Sequence, residues 1–297
     1  MTLKIILSRK GFDSSIGKVP SPILPAGELC SLPIPESVPG YLSRRYEDIK
    51  FGDLHLDVIV HDLTKGRINP GESAHLDPDL HAGSIPRLPG WKPIFGQANA
   101  AESHLQNHHV KAGDIFLFYG WFKRVELHHG AFRYVKSAPD QHVIFGWLQI
   151  ERRIPVQNRS EIPAWALEHA HCIRKQRSNL DSLYIATDRL QFPGIGVDLP
   201  GAGIFPGFHP ILCLTAEDMS RSIWRLPSWF YPEGKESGLT YHAKLSQWRL
   251  EQDYALLKTV AQGQEFILDC QHYPEALVWL SGIFSACFSP AQNLLAE

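Results

Sequence analysis

The sequence is short of cysteine, of charge imbalance and of long apolar runs, and each shortage removes a class of protein. Five cysteines and two methionines occur in 297 residues. Cys30, Cys172, Cys213, Cys270 and Cys287 are scattered, odd in number and never spaced C-x-x-C, which argues against a zinc ribbon or a disulfide framework and for a reducing compartment, the cytoplasm. Lys plus Arg is 29 against 31 Asp plus Glu, a formal net charge of −2. Proteins that coat nucleic acid without specificity are strongly basic, so that role is disfavoured, while contact with one nucleotide is not. The longest strongly apolar stretch, Ala276 to Phe288, has 13 residues and cannot cross a bilayer as a helix. The apolar run from Leu3 to Leu7 is soon interrupted by Arg9 and Lys10, so it reads as a strand rather than a signal peptide, and no membrane partner is expected. There is no G-x-S-x-G elbow, no P-loop and no G-x-G-x-x-G ahead of a helix, so no nicotinamide or flavin motif is present.

What the chain does have is an ordinary globular composition, 44% hydrophobic and 20% charged, with material for a sizeable core. Leu3 to Leu7 suits a buried first strand. Ser8 to Pro39 follows, rich in Pro, Gly and Ser; its prolines remove backbone donors and force extended or turn geometry, so it is an ordered loop. Asp53 to Val60 alternates polar with apolar, the signature of a half-buried strand. Ala98 to His109 predicts a short helix. Ile115 to Phe122, Ala131 to Lys136 and His142 to Ile150 are dense in aromatic and β-branched residues with turn-formers between them, which predicts an antiparallel meander. Apolar residues from Ile162 to Ile173 recur at three and four, predicting a helix from Ser160 to about Arg177. Tyr184 to Thr187 and Glu265 to Asp269 read as strands, Gln191 to His209 as a Gly- and Pro-rich loop, and Ala276 to Cys287 as a last helix. Lys244 to Val260 fits helix or strand. The expected fold class is mixed α+β, a β-rich core with flanking helices, in one domain covering 1–297.

The densest group of ligand-type side chains is His75-Leu76-Asp77-Pro78-Asp79-Leu80-His81. Asp77 precedes a proline and is pushed to extended geometry, and an extended segment puts His75, Asp77, Asp79 and His81 on one side. Imidazoles and carboxylates that converge are what Fe(II), Mn(II) or Zn(II) requires, and His-x-Asp plus a distant histidine has the form of the two-histidine, one-carboxylate iron triad. His55 with Asp57 is a second pair of that type, and His169 with His171 supplies distant imidazoles. Two residues apart on a helix, those last two face nearly opposite ways; on an extended segment they share a side. The plainer reading of the first cluster is an Asp-Pro turn with solvated polar residues, and that of His169 and His171 is one packed and one exposed imidazole. Ser8-Arg9-Lys10-Gly11-Phe12-Asp13 follows the first strand; Arg9 and Lys10 suit an anionic group and Asp13 an acid or base, against the alternative of a basic strand end with a turn. Residues 151–180 carry Arg152, Arg153, Arg159, Arg174, Lys175 and Arg177, a weak polyanion patch or a solvated face. Trp121 and Trp147 are candidates to stack a base, although core packing is the commoner fate of tryptophan.

Several stretches taken together, Ser-Arg-Lys-Gly-Phe-Asp-Ser-Ser (8–15), Pro-Ser-Pro-Ile-Leu-Pro (20–25), Ser-Leu-Pro-Ile-Pro (31–35), His-Leu-Asp-Pro-Asp-Leu (75–80), Gly-Asp-Ile-Phe-Leu-Phe-Tyr-Gly-Trp-Phe (113–122), Ile-Phe-Gly-Trp-Leu-Gln (144–149) and Gln-Glu-Phe-Ile-Leu-Asp (264–269), resemble the nucleotide modification associated domain 3 family over nearly the whole chain. That resemblance implies a single domain with a proposed link to DNA base modification, and assigns no catalytic residue. Residues 98–150 are also similar, at the level of fold, to PUA-like barrels such as EVE and ASCH domains, which bind RNA or modified bases in an aromatic-lined cup.

The leading expectation is therefore a metal-dependent enzyme that modifies a nucleobase, a nucleotide or another small or peptide-borne group. His75, Asp77 and Asp79 hold the ion with help from His55 or from His169 and His171, and Arg9 and Lys10 hold an anionic part of the substrate. Fe(II) is favoured over Zn or Mn, with oxygen activation as its natural chemistry. Two competitors stay open: a non-catalytic PUA-like reader that stacks a modified base on Trp121 or Trp147, and a Mg(II)-dependent nuclease in a DNA modification or defence system.

Overall fold

Five apolar or aromatic residues in a row, Ile115 to Tyr119, have no polar alternation, and they become the centre of the main sheet, with the strand buried on both faces. The computed structural model describes residues 3–36, 38–40, 42–173, 179–234, 238–261 and 263–288. In chain order its strands used below are β1 (Lys4–Arg9), β2 (Ser21–Ile23), β3 (Ser73–His75), β4 (Ile94–Ala98), β5 (Ile115–His128), β6 (Ala131–Tyr134), β7 (Gln141–Pro155), β8 (Asp181–Ala186), β9 (Ala202–Ile204), β10 (Ile223–Pro227), β11 (Trp248–Leu250), β12 (Tyr254–Lys258) and β13 (Glu265–Asp269). The helices are α1 (Leu56–Thr64), α2 (Asn99–Asn107), α3 (Ala170–Ile173) and α4 (Glu275–Phe288).

The main sheet runs β13-β1-β5-β7-β8-β4. Neighbours are antiparallel except β1, which lies parallel to β5 with Ile5 opposite Ile115 and Arg9 opposite Tyr119. The expected antiparallel run at 115–150 is present, and β5 is the strand with which both β6 and β7 pair. The class is mixed α+β with a β-rich core, as expected. Because β13 is antiparallel to β1, Glu265 lies opposite Ser8, at the same edge where β1 ends. The two ends of the strand path meet there: Gln97 of β4 donates to Glu265 of β13. Helix α4 covers the sheet with Ala276, Leu280, Ile283 and Phe284, all buried, at about 1.5–3 kcal/mol for each large side chain removed from water. A separate small sheet, β10-β12-β11, resolves the ambiguous stretch 244–260 as strand. Among the described residues no helix is long and apolar enough to cross a membrane.

Three expectations need correction. Of Asp53 to Val60 only Leu54–His55 is strand: Leu56, Ile59, Val60 and Leu63 recur at helical spacing and form the buried stripe of α1, with Val58 exposed. The helix expected from Ser160 is broken into two short 3₁₀ turns, Arg159–Glu161 and Ala164–Ala166, before the four residues of α3. Pro163 lacks an N–H and holds Ile162 extended, which ends the first turn. Arg174, Lys175 and Arg177 lie outside the described residues. Trp147 is core: 2% exposed, it packs its ring on Phe205 and Phe284 and donates Nε1–H to the Pro200 carbonyl. A base has no access to it. Trp121 donates to Asp140 and stacks under Arg221, 4.1 Å from its ring centroid, away from the cavity described next.

Candidate metal centre and its cavity

Strand β4 is the bench on which the site is assembled. The His75–His81 segment runs beside it, with Asp79 N–H donating to the Ile94 carbonyl (2.9 Å) and Ile94 N–H returning to Asp79 (3.0 Å). Two residues on, Gly96 N–H donates to Asp77 Oδ1 at 2.7 Å. On the other edge of β4 lies β8, with Asp181 opposite Ala98. Asp181 Oδ1 holds His171 Nδ1 at 2.6 Å, bringing α3 against the same strand. The third contribution comes through β3, where His75 pairs with Ile34 at the end of the proline-rich loop. The next residue but one, Glu36, holds His75 Nδ1 at 2.7 Å.

Three side chains thus converge, two from one short segment and one from a distant part of the chain. His75, Asp77 and His171 each offer a ligand atom, and these atoms lie within 4.8 Å of one another. Asp77 Oδ2 is 4.0 Å from His75 Nε2 and 3.7 Å from His171 Nε2. Two bonds of about 2.1 Å span up to about 4.2 Å, so a transition ion fits between each imidazole and the carboxylate. Each imidazole gives its Nδ1–H to a carboxylate, which fixes the ring orientation and aims Nε2 at the shared point; carboxylate–histidine–metal relays are built this way. Gly96 is required by packing rather than by backbone angle: a Cβ there lies 2.3 Å from His171 Cδ2.

His169 stands beside this group without joining it. Its Nδ1 accepts the His171 backbone N–H at 3.3 Å, so the proton sits on Nε2, 3.4 Å from Asp77 Oδ1. Oδ1 accepts from the Gly96 amide and faces His169 Nε2 without a formed hydrogen bond, and Oδ2 is turned toward the other two imidazoles. The pair is two apart in sequence yet shares a side because the chain turns at Ala166 to His169 instead of continuing one helix.

The electrostatics follow from these neighbours. Burial acts against the Asp77 carboxylate, but the adjacent His169 and His171 imidazoles outweigh it and hold its pKa well below the usual range. Burial also disfavours a charged His171, yet Asp181 and Asp77 outweigh it and raise its pKa. For His75 burial wins over Glu36, and the facing His171 adds to the lowering.

The remaining expected ligands sit elsewhere. Asp79 is not in the group: Arg87 clasps both its oxygens, at 2.5 and 2.6 Å. His55 is exposed at the start of α1 with Nδ1 near the Glu47 carbonyl (3.1 Å), and Asp57 follows it in the first turn of that helix. By contrast Arg9, Lys10 and Asp13 do line the cavity of about 570 Å³ onto which His75, Asp77 and His171 open. Asp13 Oδ1 caps the Ser15 and Ile16 N–H groups at 2.7 Å each. Lys10 is paired to Glu265 at 3.1 Å, and Arg9 donates to the Ala261 carbonyl at 3.2 Å. The first turn of α2 forms another part of the wall.

Sequence reading missed Glu36, Asp181, Gly96 and Glu265. Asp181 and Glu265 carried a usable signal, since each is an acidic residue at the start of a strand with an apolar or aromatic run, Leu183-Tyr184-Ile185 and Phe266-Ile267-Leu268. Glu36 and Gly96 carried none.

The protein-family model of nucleotide modification associated domain 3 matches residues 4–269, a span that contains the whole site. The chain belongs to this family. No curated protein and no solved structure matches it. Family membership ties this domain to nucleotide modification, and His75, Asp77 and His171 all fall within the matched span.

Proposed function

We propose that this family member is a metal-dependent enzyme that modifies a nucleobase or nucleotide, with His75, Asp77 and His171 as protein ligands. The observation that carries the reading is the paired arrangement of Glu36 on His75 and Asp181 on His171, which leaves two oriented Nε2 atoms and Asp77 Oδ2 at the wall of a cavity large enough for a substrate. Two imidazoles and one carboxylate with open positions suit Fe(II) ahead of Zn(II) or Mn(II). Such an ion supplies either oxygen activation or a nucleophilic water. The chain's own contributions are to orient the ligand imidazoles, to orient Asp77 through the Gly96 amide, and to offer Arg9 and the start of α2 to an anionic part of the substrate. The donor set speaks against the Mg(II) nuclease, because Mg(II) prefers oxygen ligands and Asp79 is committed to Arg87.

The test is elemental analysis of protein purified without chelator, alongside a His75→Ala/Asp77→Ala variant. Near-stoichiometric transition metal, absent from the folded double variant, is the expected result. Metal-free wild-type protein that gains no thermal stability from added Fe(II), Zn(II) or Mn(II) overturns the proposal.

A further inference from the structure

The same cavity contains a second polar group that metal binding does not use. Glu265 is 1% exposed and lines the wall. Its Oε1 accepts from Ser8 Oγ (3.1 Å), from Lys10 Nζ (3.1 Å) and from Gln97 Nε2. Its Oε2 is buried and, among the described residues, has no hydrogen-bond partner. Buried carboxylate oxygens are almost always met by a donor, so three donors on one oxygen and none on the other mark Oε2 as an acceptor held ready. Lys10 Nζ, 4.4 Å from the Phe95 ring centroid, keeps donor capacity beside it. This corner is charge-balanced, one acid against one base, and therefore suits a neutral group with a donor and an acceptor side by side better than a phosphate. At the rim stands Tyr241, 47% exposed and with φ +68°, a left-handed backbone that a bulky residue seldom adopts.

We infer that Glu265 and Lys10 read the hydrogen-bonding edge of a nucleobase in the metal cavity, with the Tyr241 ring stacking on its face. Every nucleobase presents adjacent donor and acceptor atoms on that edge, and a base taken into a pocket is recognised by such bonds together with aromatic contact. The inference rests on the reading of the cavity as a base-modifying site and names what is recognised there.

Glu265→Gln is the informative change. The oxygen that receives three donors must remain an oxygen, so the amide NH₂ replaces Oε2 and confronts the ligand's N–H. The experiment measures binding of the four 2′-deoxynucleosides to the full chain by calorimetry, with metal content determined on the same samples. At least one nucleoside binds the wild type, Glu265→Gln weakens it tenfold or more, and Tyr241→Ala weakens it fivefold or more, with metal content unchanged in both. Tyr241 is half exposed, with its ring beside His104, so its variant decides the matter if Glu265→Gln does not fold. The inference is overturned if no nucleoside binds the wild type, if either folded variant binds as tightly as the wild type, or if millimolar inorganic phosphate displaces the nucleoside. Stoichiometric metal without nucleoside binding defeats this inference alone, and nucleoside binding to a protein that takes up no metal defeats only the metal reading.

Discussion

Replacing Gly96 by alanine adds one methyl group and isolates the position of one proposed ligand. The built Cβ lies 2.3 Å from His171 Cδ2, 2.5 Å from Cγ and 2.7 Å from Nε2. Carbon atoms in contact normally stand about 3.5–4.0 Å apart, so the ring must retreat by more than about 1 Å. It has little freedom to do so, because its Nδ1 is held at 2.6 Å by the buried Asp181. Metal–ligand distances tolerate about 0.2 Å, so Nε2 is lost as a ligand. Displacing a group that only orients a ligand costs about 10–100-fold in affinity, and losing the ligand itself costs at least the upper figure, about 2.7 kcal/mol. Gly96 sits in a strand outside the left-handed region, so alanine meets no backbone penalty there, and overpacking costs about 1–3 kcal/mol of stability. Chelator competition gives the metal affinity and urea unfolding the stability, with Gly196→Ala, where a Cβ meets nothing within 4 Å, as the control. A folded Gly96→Ala protein that binds metal as tightly as wild type refutes the placement of His171 in the coordination sphere.

Other expectations follow from single contacts. Asp181→Asn keeps the size of the group that holds His171 Nδ1 and removes its charge; metal affinity falls about 10–100-fold with the fold intact, as read by the same chelator titration. Arg87→Met leaves the buried Asp79 carboxylate unpaired and costs about 3 kcal/mol in urea unfolding, yet metal content is unchanged, which separates Asp79 from the ligands. Burial pushes the pKa of His142 down to about 3 and that of His242 to about 4. The unfolded value is about 6.5, so the stability these groups contribute is complete above that pH and is lost as pH falls toward the folded values, about 2 kcal/mol for each by pH 5. The unfolding midpoint therefore drops between pH 7 and pH 5, and His142→Gln shows a shallower drop; an equal slope in the variant counts against the assignment.

Much of the fold was legible where one local pattern had no competitor. Leu3 to Leu7, the aromatic runs from Ile115 and His142, and the Ala276–Cys287 stripe all became the elements their periods indicate. α1 was not legible because Leu56 and Val60 satisfy period two and period 3.6 at once, and only Ile59 and Leu63, on the same buried stripe, decide between them. After Ser160 the apolar residues keep a helical spacing, but Pro163 breaks the backbone that this spacing would need.

The site was half legible for a different reason. His75 and Asp77 share an extended segment, so spacing alone places them on one side. Asp79 obeys the same arithmetic and fails, because Arg87, eight residues on, is the stronger partner. His171 and His169 have equal claims in sequence, and only the tertiary positions of Asp181 and of the His171 amide turn His171 Nε2 toward Asp77 Oδ2 in the candidate group and leave His169 beside Oδ1. No period predicts Glu36, since what aims it is the pairing of Ile34 with His75.

The five residues of β4 connect these facts. Ile94 holds the backbone at Asp79, Gly96 gives its amide to Asp77 and its missing side chain to His171, Ala98 pairs with Asp181, and Gln97 reaches Glu265. Successive side chains of a strand face opposite ways, so a single element serves the metal group with one residue and the unmatched carboxylate with the next. A slip of one residue in its register exchanges these roles and dismantles both at once. Metal affinity and nucleoside binding are therefore expected to fail together when β4 is displaced, and separately when a single side chain is changed.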